Sequence, residues 1–203
     1  MADLSTSDRP GRSDRPGTRE RILDSTAELF RRYGYTGTGL KQIVAQANAP
    51  FGSIYHFFPG GKEQLGAEVI HRSGRMYEEL LTAIVDAAPD LESGLRDCFL
   101  GAAAVLVETD YADACPIETV ALEVASANET LRLATAEVFA SWIRAAVVRF
   151  TGSGVPAERA EDLALSVIAL LEGAFVLARA AKDVQPLRAA GEAAVALLER
   201  ARA

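Results

Sequence analysis

The chain has 203 residues, 49% of them hydrophobic, enough for one or two domains with a sizeable core. Ala, Leu, Glu and Arg dominate and strand-like alternation is scarce, which points to an all-α protein and away from sheet-based folds. A net charge of −7 at first argues against nucleic acid, but residues 1–75 carry 11 Lys/Arg and 8 Asp/Glu (net +3), and residues 76–203 carry 10 and 20 (net −10). A mildly basic head on an acidic body suits a small DNA-reading unit joined to something else. Cys98 and Cys115 lie in no CxxC and near no histidine. They read as small buried hydrophobes in a reducing cytoplasm, with no metal site and no redox motif.

Residues 1–17 form a polar tail in which Ser7-Asp8-Arg9-Pro10-Gly11 nearly repeats as Ser13-Asp14-Arg15-Pro16-Gly17. It has too little apolar surface to order itself and no apolar core of a signal peptide. We read it as a flexible, solvated arm; the functional alternative is that Arg9, Arg12 or Arg15 reaches DNA phosphate or the minor groove. A first helix is predicted from Thr18, as N-cap, to Tyr33, with Ile22, Thr26, Leu29, Phe30 and Tyr33 on its apolar face and Gly34 as its stop. A second short helix carries Leu40, Ile43 and Val44 inward and Lys41, Gln42 and Gln46 outward. Asn48-Ala49-Pro50 breaks it, because Asn tolerates the left-handed conformation and Pro suits only the first turn of a new helix. A third helix follows, about Pro50 to Phe57, anchored by Ile54 and by Phe57 or Phe58, with Phe51, Ser53, Tyr55 and His56 facing outward. Two helices across a tight turn, the second small and polar-aromatic on its free face, fit a helix-turn-helix.

Thr38, Ile43-Val44-Ala45, Gly52-Ser53-Ile54-Tyr55-His56-Phe57 and Lys62-Glu63-Gln64-Leu65 together resemble the DNA-binding signature of TetR-type repressors. The resemblance covers about the first third of the chain. Phe51 departs from it, standing where such proteins often carry a polar or basic residue. The resemblance and the chemistry together assign DNA contacts to Arg12, Arg15, Thr38, Gly39, Lys41, Pro50, Phe51, Gly52, Ser53, Tyr55, His56 and Lys62. Thr38 is expected to cap the second helix and donate to a phosphate. Lys41 lies near the backbone, and Gly52 permits close approach to the groove. Ser53, Tyr55 and His56 reach phosphate or base edges, and Phe51 offers apolar contact to a thymine methyl. Lys62 sits at a helix N-terminus, where its ammonium and backbone N–H groups can bind phosphate together.

The body reads as six further helices, about nine in all. The fourth, Gly61 to Ala87, outruns the head and would transmit a ligand signal. Asp90 caps the fifth, with Leu91, Leu95, Phe99, Ala102, Ala103 and Leu106 on its stripe. A shorter sixth starts at Cys115-Pro116 and reaches about Ala127; its CPIETVALEVAS pattern resembles a ligand-domain segment in one branch of the TetR relatives. Asn128 caps the seventh, which carries Val138, Phe139, Trp142 and Phe150. The eighth starts near Pro156 and is apolar almost all round from Leu163 to Ala180, so it needs two partners. The ninth runs from about Pro186 to Ala201. No run is read as long enough to span a membrane.

The expected architecture is a flexible arm at 1–17, a helix-turn-helix domain at 18–60 and a ligand-binding and dimerisation domain at 61–203. Leu163, Val167, Leu170, Leu171, Leu187, Ala194 and Leu198 are expected at a four-helix dimer interface, the alternative being helices buried in the core of a single chain. Met76, Cys98, Phe99, Tyr111, Phe139, Trp142 and Phe175 are expected around an apolar ligand cavity, which rests mainly on the family resemblance. The function expected is a cytoplasmic homodimeric regulator, a repressor released from a palindromic operator by a small apolar or aromatic effector, without cofactor. Enzyme signatures are missing: Gly37-Thr38-Gly39 lacks the third glycine of a dinucleotide fingerprint, Gly61-Lys62 is followed by Glu63 rather than Ser or Thr, and Gly152-Ser153-Gly154 lacks the spacing of a nucleophile elbow. The alternative is a helical small-molecule-binding or protein-interaction protein without DNA function.

Overall fold

A computed structural model describes residues 16–113, 115–124 and 126–203, so Arg12 and Arg15 of the expected arm lie outside the described residues. The described residues form helices α1 (Thr18–Tyr33), α2 (Leu40–Gln46), α3 (Ser53–Phe57), α4 (Gly61–Ala87), α5 (Leu91–Glu108), α6 (Pro116–Val124), α7 (Glu129–Gly152), α8 (Ala157–Ala181) and α9 (Gln185–Arg202), and no strand.

Most boundaries follow local chemistry. Gly34 ends α1 at φ +70°, and Asn48 takes φ +46° after α2. The carboxylate of Asp90 accepts from the Ser93 N–H at 2.7 Å, and Asn128 Oδ1 accepts from the Leu131 N–H at 2.9 Å, so both cap as expected. Other boundaries differ. Gly17, not Thr18, holds the cap position of α1, and the Thr18 hydroxyl instead accepts from Arg21 at 3.3 Å. α3 starts at Ser53 because Pro50 to Gly52 form a turn closed by the Ser53 N–H on the Pro50 carbonyl at 3.0 Å. Tyr33 is exposed rather than on the apolar face of α1.

Two cores hold the chain together. The first joins Ile22, Phe30, Ile43, Ile54 and Phe58 of the head to Leu65, Val69 and Ile70 of α4, and continues into Ile117 and Val120 of α6 and Leu131, Val138 and Trp142 of α7. Residue 60 therefore falls inside one packed unit, because the first half of α4 completes the head. The second core lies between α5, the end of α7, α8 and α9, around Phe99, Leu106, Phe150, Leu187 and Leu198. Leu163, Val167, Leu187, Ala194 and Leu198, expected at a dimer interface, are buried in this core within the chain itself, and Leu170 and Leu171 pack against it. The hydrophobic faces of α8 and α9 meet each other and α5, and are not left free for a second chain.

The outward side of α8 is apolar all the same, with Leu165, Val176 and Leu177 exposed. By length and composition α8 is sufficient to cross a membrane, contrary to the sequence reading, which weighed unbroken apolar runs rather than a whole helix. In this fold one side of it is core and a buried Glu172 interrupts it.

α4 changes character midway. It buries Leu65, Val69, Ile70, Ser73 and Gly74, then nothing from Arg75 to Ala87. The crossing with α7 explains the switch. A Cβ on Gly74 would stand 2.5 Å from a Val138 methyl, so only glycine permits this approach. The indole N–H of Trp142 donates to the Gly74 carbonyl at 2.9 Å and locks it. Gly74→Ala gains up to about 1 kcal/mol of helix propensity but overpacks against a stiff β-branched side chain, at about 1–3 kcal/mol. The net loss of stability should appear in urea unfolding; an unchanged midpoint would contradict the close crossing.

Candidate nucleic-acid interface and effector cavity

The head presents α3 on a buried footing. Ile54 and Phe58 are fully buried, while Phe51, Tyr55 and His56 are exposed and Ser53 and Phe57 half-buried. Phe51 and Tyr55 stand edge-to-face with ring centroids 6.2 Å apart. Lys41, Gly39, Pro50 and Gly52 are also exposed. Gly39 and Gly52 have ordinary negative φ, and no described residue comes within 4 Å of where a Cβ would stand. Neither packing nor backbone conformation requires glycine there.

Two sequence expectations change. Thr38 is fully buried, and its hydroxyl donates inward to the Gly34 carbonyl at 2.7 Å; Gly39 holds the cap position of α2. Thr38 thus neither caps α2 nor offers its hydroxyl to a phosphate; it closes the loop after α1. Lys62 folds back, donating to the Tyr35 carbonyl at 2.6 Å with its ammonium 4.2 Å from the Tyr35 ring centroid. Partial burial lowers its pKa, against the raising influence of Glu123. It clasps the α1–α2 loop to the start of α4. One residue the sequence reading missed supports the motif from behind. Arg21 donates to the Ala47 carbonyl at 2.9 Å and the Asn48 carbonyl at 3.3 Å, holding the turn between α2 and α3. Nothing in the local pattern distinguishes it from a solvated arginine.

Head and body meet through a second set of charges. Asp113 accepts from Arg31 Nε at 2.8 Å and from Arg32 Nε at 3.4 Å. Glu123 accepts from the Thr36 N–H at 2.7 Å, and a side chain at Gly34 would collide with its carboxylate. Asn128 donates to Glu63 at 3.1 Å. The segment through α6 is therefore fastened to the end of α1 and to the start of α4.

Behind the unburied half of α4 lie two apolar hollows. The larger, about 280 Å³, is lined by Tyr77, Leu80, Leu81 and Ile84 of α4, Cys98 and Val105 of α5, Trp142 of α7, and Leu171, Glu172 and Phe175 of α8, with Asp113 and Cys115. The smaller, about 100 Å³, includes Phe99, Phe150 and Arg149 and shares Leu81, Cys98, Trp142 and Leu171 with it. Of the residues expected around a ligand, Cys98, Phe99, Trp142 and Phe175 line these hollows. Met76, Tyr111 and Phe139 do not: Met76 is exposed on the other side of α4, Tyr111 packs on the second core, and Phe139 stacks edge-on to Trp142 at 5.6 Å. Helical spacing alone could not say which side of each aromatic meets empty space.

Polar groups at the cavity were missed altogether. Glu172 is buried, with Oε2 lacking any hydrogen-bond partner. Burial, reinforced by the charge of Glu118, pushes its pKa up to about 8, with the Cys115 thiol partly opposing. Glu118 is itself raised to about 6 by burial, against the pull of Arg179. Burial holds the Cys98 thiol up to about 12 and Cys115 well above its usual range, so neither is a nucleophile.

This geometry has relatives. Residues 22–69 match the family described as bacterial regulatory proteins, tetR family, and residues 92–193 match the transcriptional regulator LmrA/YxaF-like C-terminal domain. The transcriptional regulator YxaF of Bacillus subtilis is 33% identical over 175 residues, covering 86% of this chain and 92% of that one. The chain belongs to the TetR family. LmrA of Bacillus subtilis, another HTH-type transcriptional regulator, is 31% identical over 170 residues, 84% of this chain and 90% of that one. Among solved structures, the regulatory protein TetR from Rhodobacter sphaeroides superposes with a TM-score of 0.79 at 20% identity, covering 89% of this chain and 98% of that one. Reduced NemR from E. coli superposes with a TM-score of 0.68 at 26% identity, covering 90% and 95%. Like other TetR-family proteins, this chain is a DNA-binding transcriptional regulator and not an enzyme.

Glu172 leaves a signature in this TetR-family protein. Its folded pKa lies above the ordinary 4.5, so the native state holds a proton that the unfolded chain gives up. Its favourable contribution is full below about pH 4 and falls as pH rises to about 8, and Glu118 adds the same sign up to about 6. Glu172→Gln should flatten the decline in urea-unfolding free energy between pH 5 and pH 8; an unaltered slope would mean that Glu172 does not titrate in this range.

Proposed function

We propose that the chain acts as a homodimeric repressor that reads a palindromic operator and is released by a small, largely apolar effector in the cavity beside Trp142. One observation carries the DNA part: α3 and the turn before it display Phe51, Tyr55 and His56, with Ser53 half-exposed, over a buried anchor, and no described residue gives Gly39 and Gly52 beside it a reason to be glycine. An external surface passing close to the backbone supplies that reason. Ser53, Tyr55 and His56 donate to phosphate or base edges, Phe51 touches a thymine methyl, and Lys41 adds charge at the backbone. Lys62 contributes through its place at the start of α4, with one of its protons held by Tyr35. Thr38 acts only by shaping the loop. Arg12 and Arg15 remain proposed contacts of the arm.

Dimerisation is assigned to the outer side of α8. Leu165, Ala169, Gly173, Val176 and Leu177 are exposed and recur along one stripe, and no described residue comes within 4 Å of a Cβ placed on Gly173. The exposed Ala189, Ala193 and Ala196 of α9 continue it. Small and apolar residues together suit close packing of four helices about a two-fold axis. Two heads so related read half-sites about 34–36 Å apart, or a multiple of that.

Release is assigned to Asp113, which lines the cavity and holds Arg31 and Arg32 of α1. An effector that displaces this corner moves the end of α1 and with it the head. A 100-fold loss of DNA affinity needs only about 2.7 kcal/mol of such coupling. The site of action is the cytoplasm, where operator and effector meet.

Fluorescence anisotropy with the chain's own upstream DNA tests the reading: binding should be tight at low salt and fall steeply with added salt. Tyr55→Ala should cost about 1–3 kcal/mol of that affinity while shifting stability by no more than about 0.5 kcal/mol; full retention removes Tyr55 from the interface. Val176→Arg should give a folded monomer by sedimentation at micromolar concentration, and a persisting dimer would exclude the outer side of α8.

A further inference from the structure

We propose that the cavity between α4, α5, α7 and α8 selects a lipophilic amine, whose ammonium group pairs with the buried Glu172. This rests on reading that cavity as the effector site and adds the chemical class of the effector.

The lining is acidic at one point and apolar elsewhere. Among the described residues it contains two carboxyl groups, Asp113 and Glu172, and no Lys, Arg or His. Asp113 is already held by Arg31 and Arg32. Among the described residues Glu172 has no cationic partner and its Oε2 accepts no hydrogen bond; the Cys115 thiol beside it is a weak donor and brings no counter-charge. A buried carboxyl left alone is costly and normally finds a partner. The remaining wall is aliphatic, from Leu80, Leu81 and Ile84, with the rings of Tyr77, Trp142 and Phe175, which accept a cation on their faces and hydrocarbon elsewhere. Exposed Leu80 and Val105 lie on the open side of the lining. The volume of about 280 Å³ suits a one- or two-ring ligand.

The surrounding groups set the proton balance. Glu118 of α6 faces Glu172 and raises it, Arg179 acts on Glu118, Cys115 lies beside it uncharged, and Tyr77 approaches from α4 near Asp113 and Arg31. Burial keeps Glu172 protonated to about pH 8, so the empty cavity holds a neutral acid. An entering ammonium converts it to a carboxylate, and its proton leaves to solvent. A neutral alcohol of the same shape moves no proton, and an anion meets two acids and no base.

Titration calorimetry of the full chain with 4-phenylbutylamine, 4-phenylbutanol and 4-phenylbutyrate, at pH 6, 7 and 8 in phosphate and in Tris, decides the matter. The amine should bind at least about tenfold tighter than the alcohol at pH 8. Its affinity should rise about tenfold from pH 6 to pH 7 and about a further fivefold to pH 8, levelling off only above that, with release of close to one proton at pH 7. Glu172→Gln should abolish both preference and pH dependence, and Glu172→Asp, which keeps the acid, should retain the preference. Equal or tighter binding of the alcohol or butyrate, no binding of the amine at millimolar concentration, or a preference surviving in Glu172→Gln overturns the proposal. Anisotropy on the upstream DNA separates the two readings. If the alcohol binds and lowers DNA affinity, the effector cavity stands and the amine class falls. If the amine binds with proton release but DNA affinity is unmoved, the amine site stands and the effector role falls.

Discussion

The crossing of α4 and α7 at Gly74 is the constraint on which the remaining structure depends. Val138 sits directly on the glycine, and Trp142 ties its indole N–H to the same residue's carbonyl. With that contact fixed, the first half of α4 completes the core of the head, and the second half leans over the body without being buried. One continuous helix therefore has its start in the reading head and its end in the cavity wall.

The cavity is the cost of this arrangement. Leu80, Leu81, Ile84 and Val85 form an apolar side that a purely structural helix would bury, yet here they face hollows. A buried, unpaired Glu172 adds a second penalty. On the proposed effector role, a ligand that fills the space would relieve both penalties and so favour the folded chain. Asp113 stands at the edge of that space and grips the end of α1, which connects the unsatisfied region to the head through one short corner.

Family membership and geometry support each other without being the same observation. The match over residues 22–69 describes the head, and the match over residues 92–193 describes the body. Neither bears on the inward hydrogen bond of Thr38, the clasp of Lys62 on Tyr35 or the support of the motif's turn by Arg21. These are local solutions of this chain: polar groups beside α3 are spent on holding α2, α3 and α4 in register, and the exposed side is left to Phe51, Tyr55 and His56, with Ser53 half-buried.

The helices, the caps at Asp90 and Asn128 and the outward Tyr55 and His56 of α3 were determined by the sequence alone, because they depend on spacing and on neighbours within one or two turns; the expected caps at Thr18 and Thr38 gave way to Gly17 and Gly39. Asn48, Asp90 and Asn128 act where their local chemistry says they must. What a side chain meets across the fold was decided only by tertiary structure. Thr38 turned inward, Leu163, Val167, Leu187, Ala194 and Leu198 closed a core within the chain, Met76, Tyr111 and Phe139 fell away from the cavity, and Glu172 came to line it. The physical reason is that helical periodicity defines a face but not its partner: a leucine stripe is equally satisfied by its own chain or another, and a glutamate in a helix is ordinary until packing removes both water and counter-charge from around it.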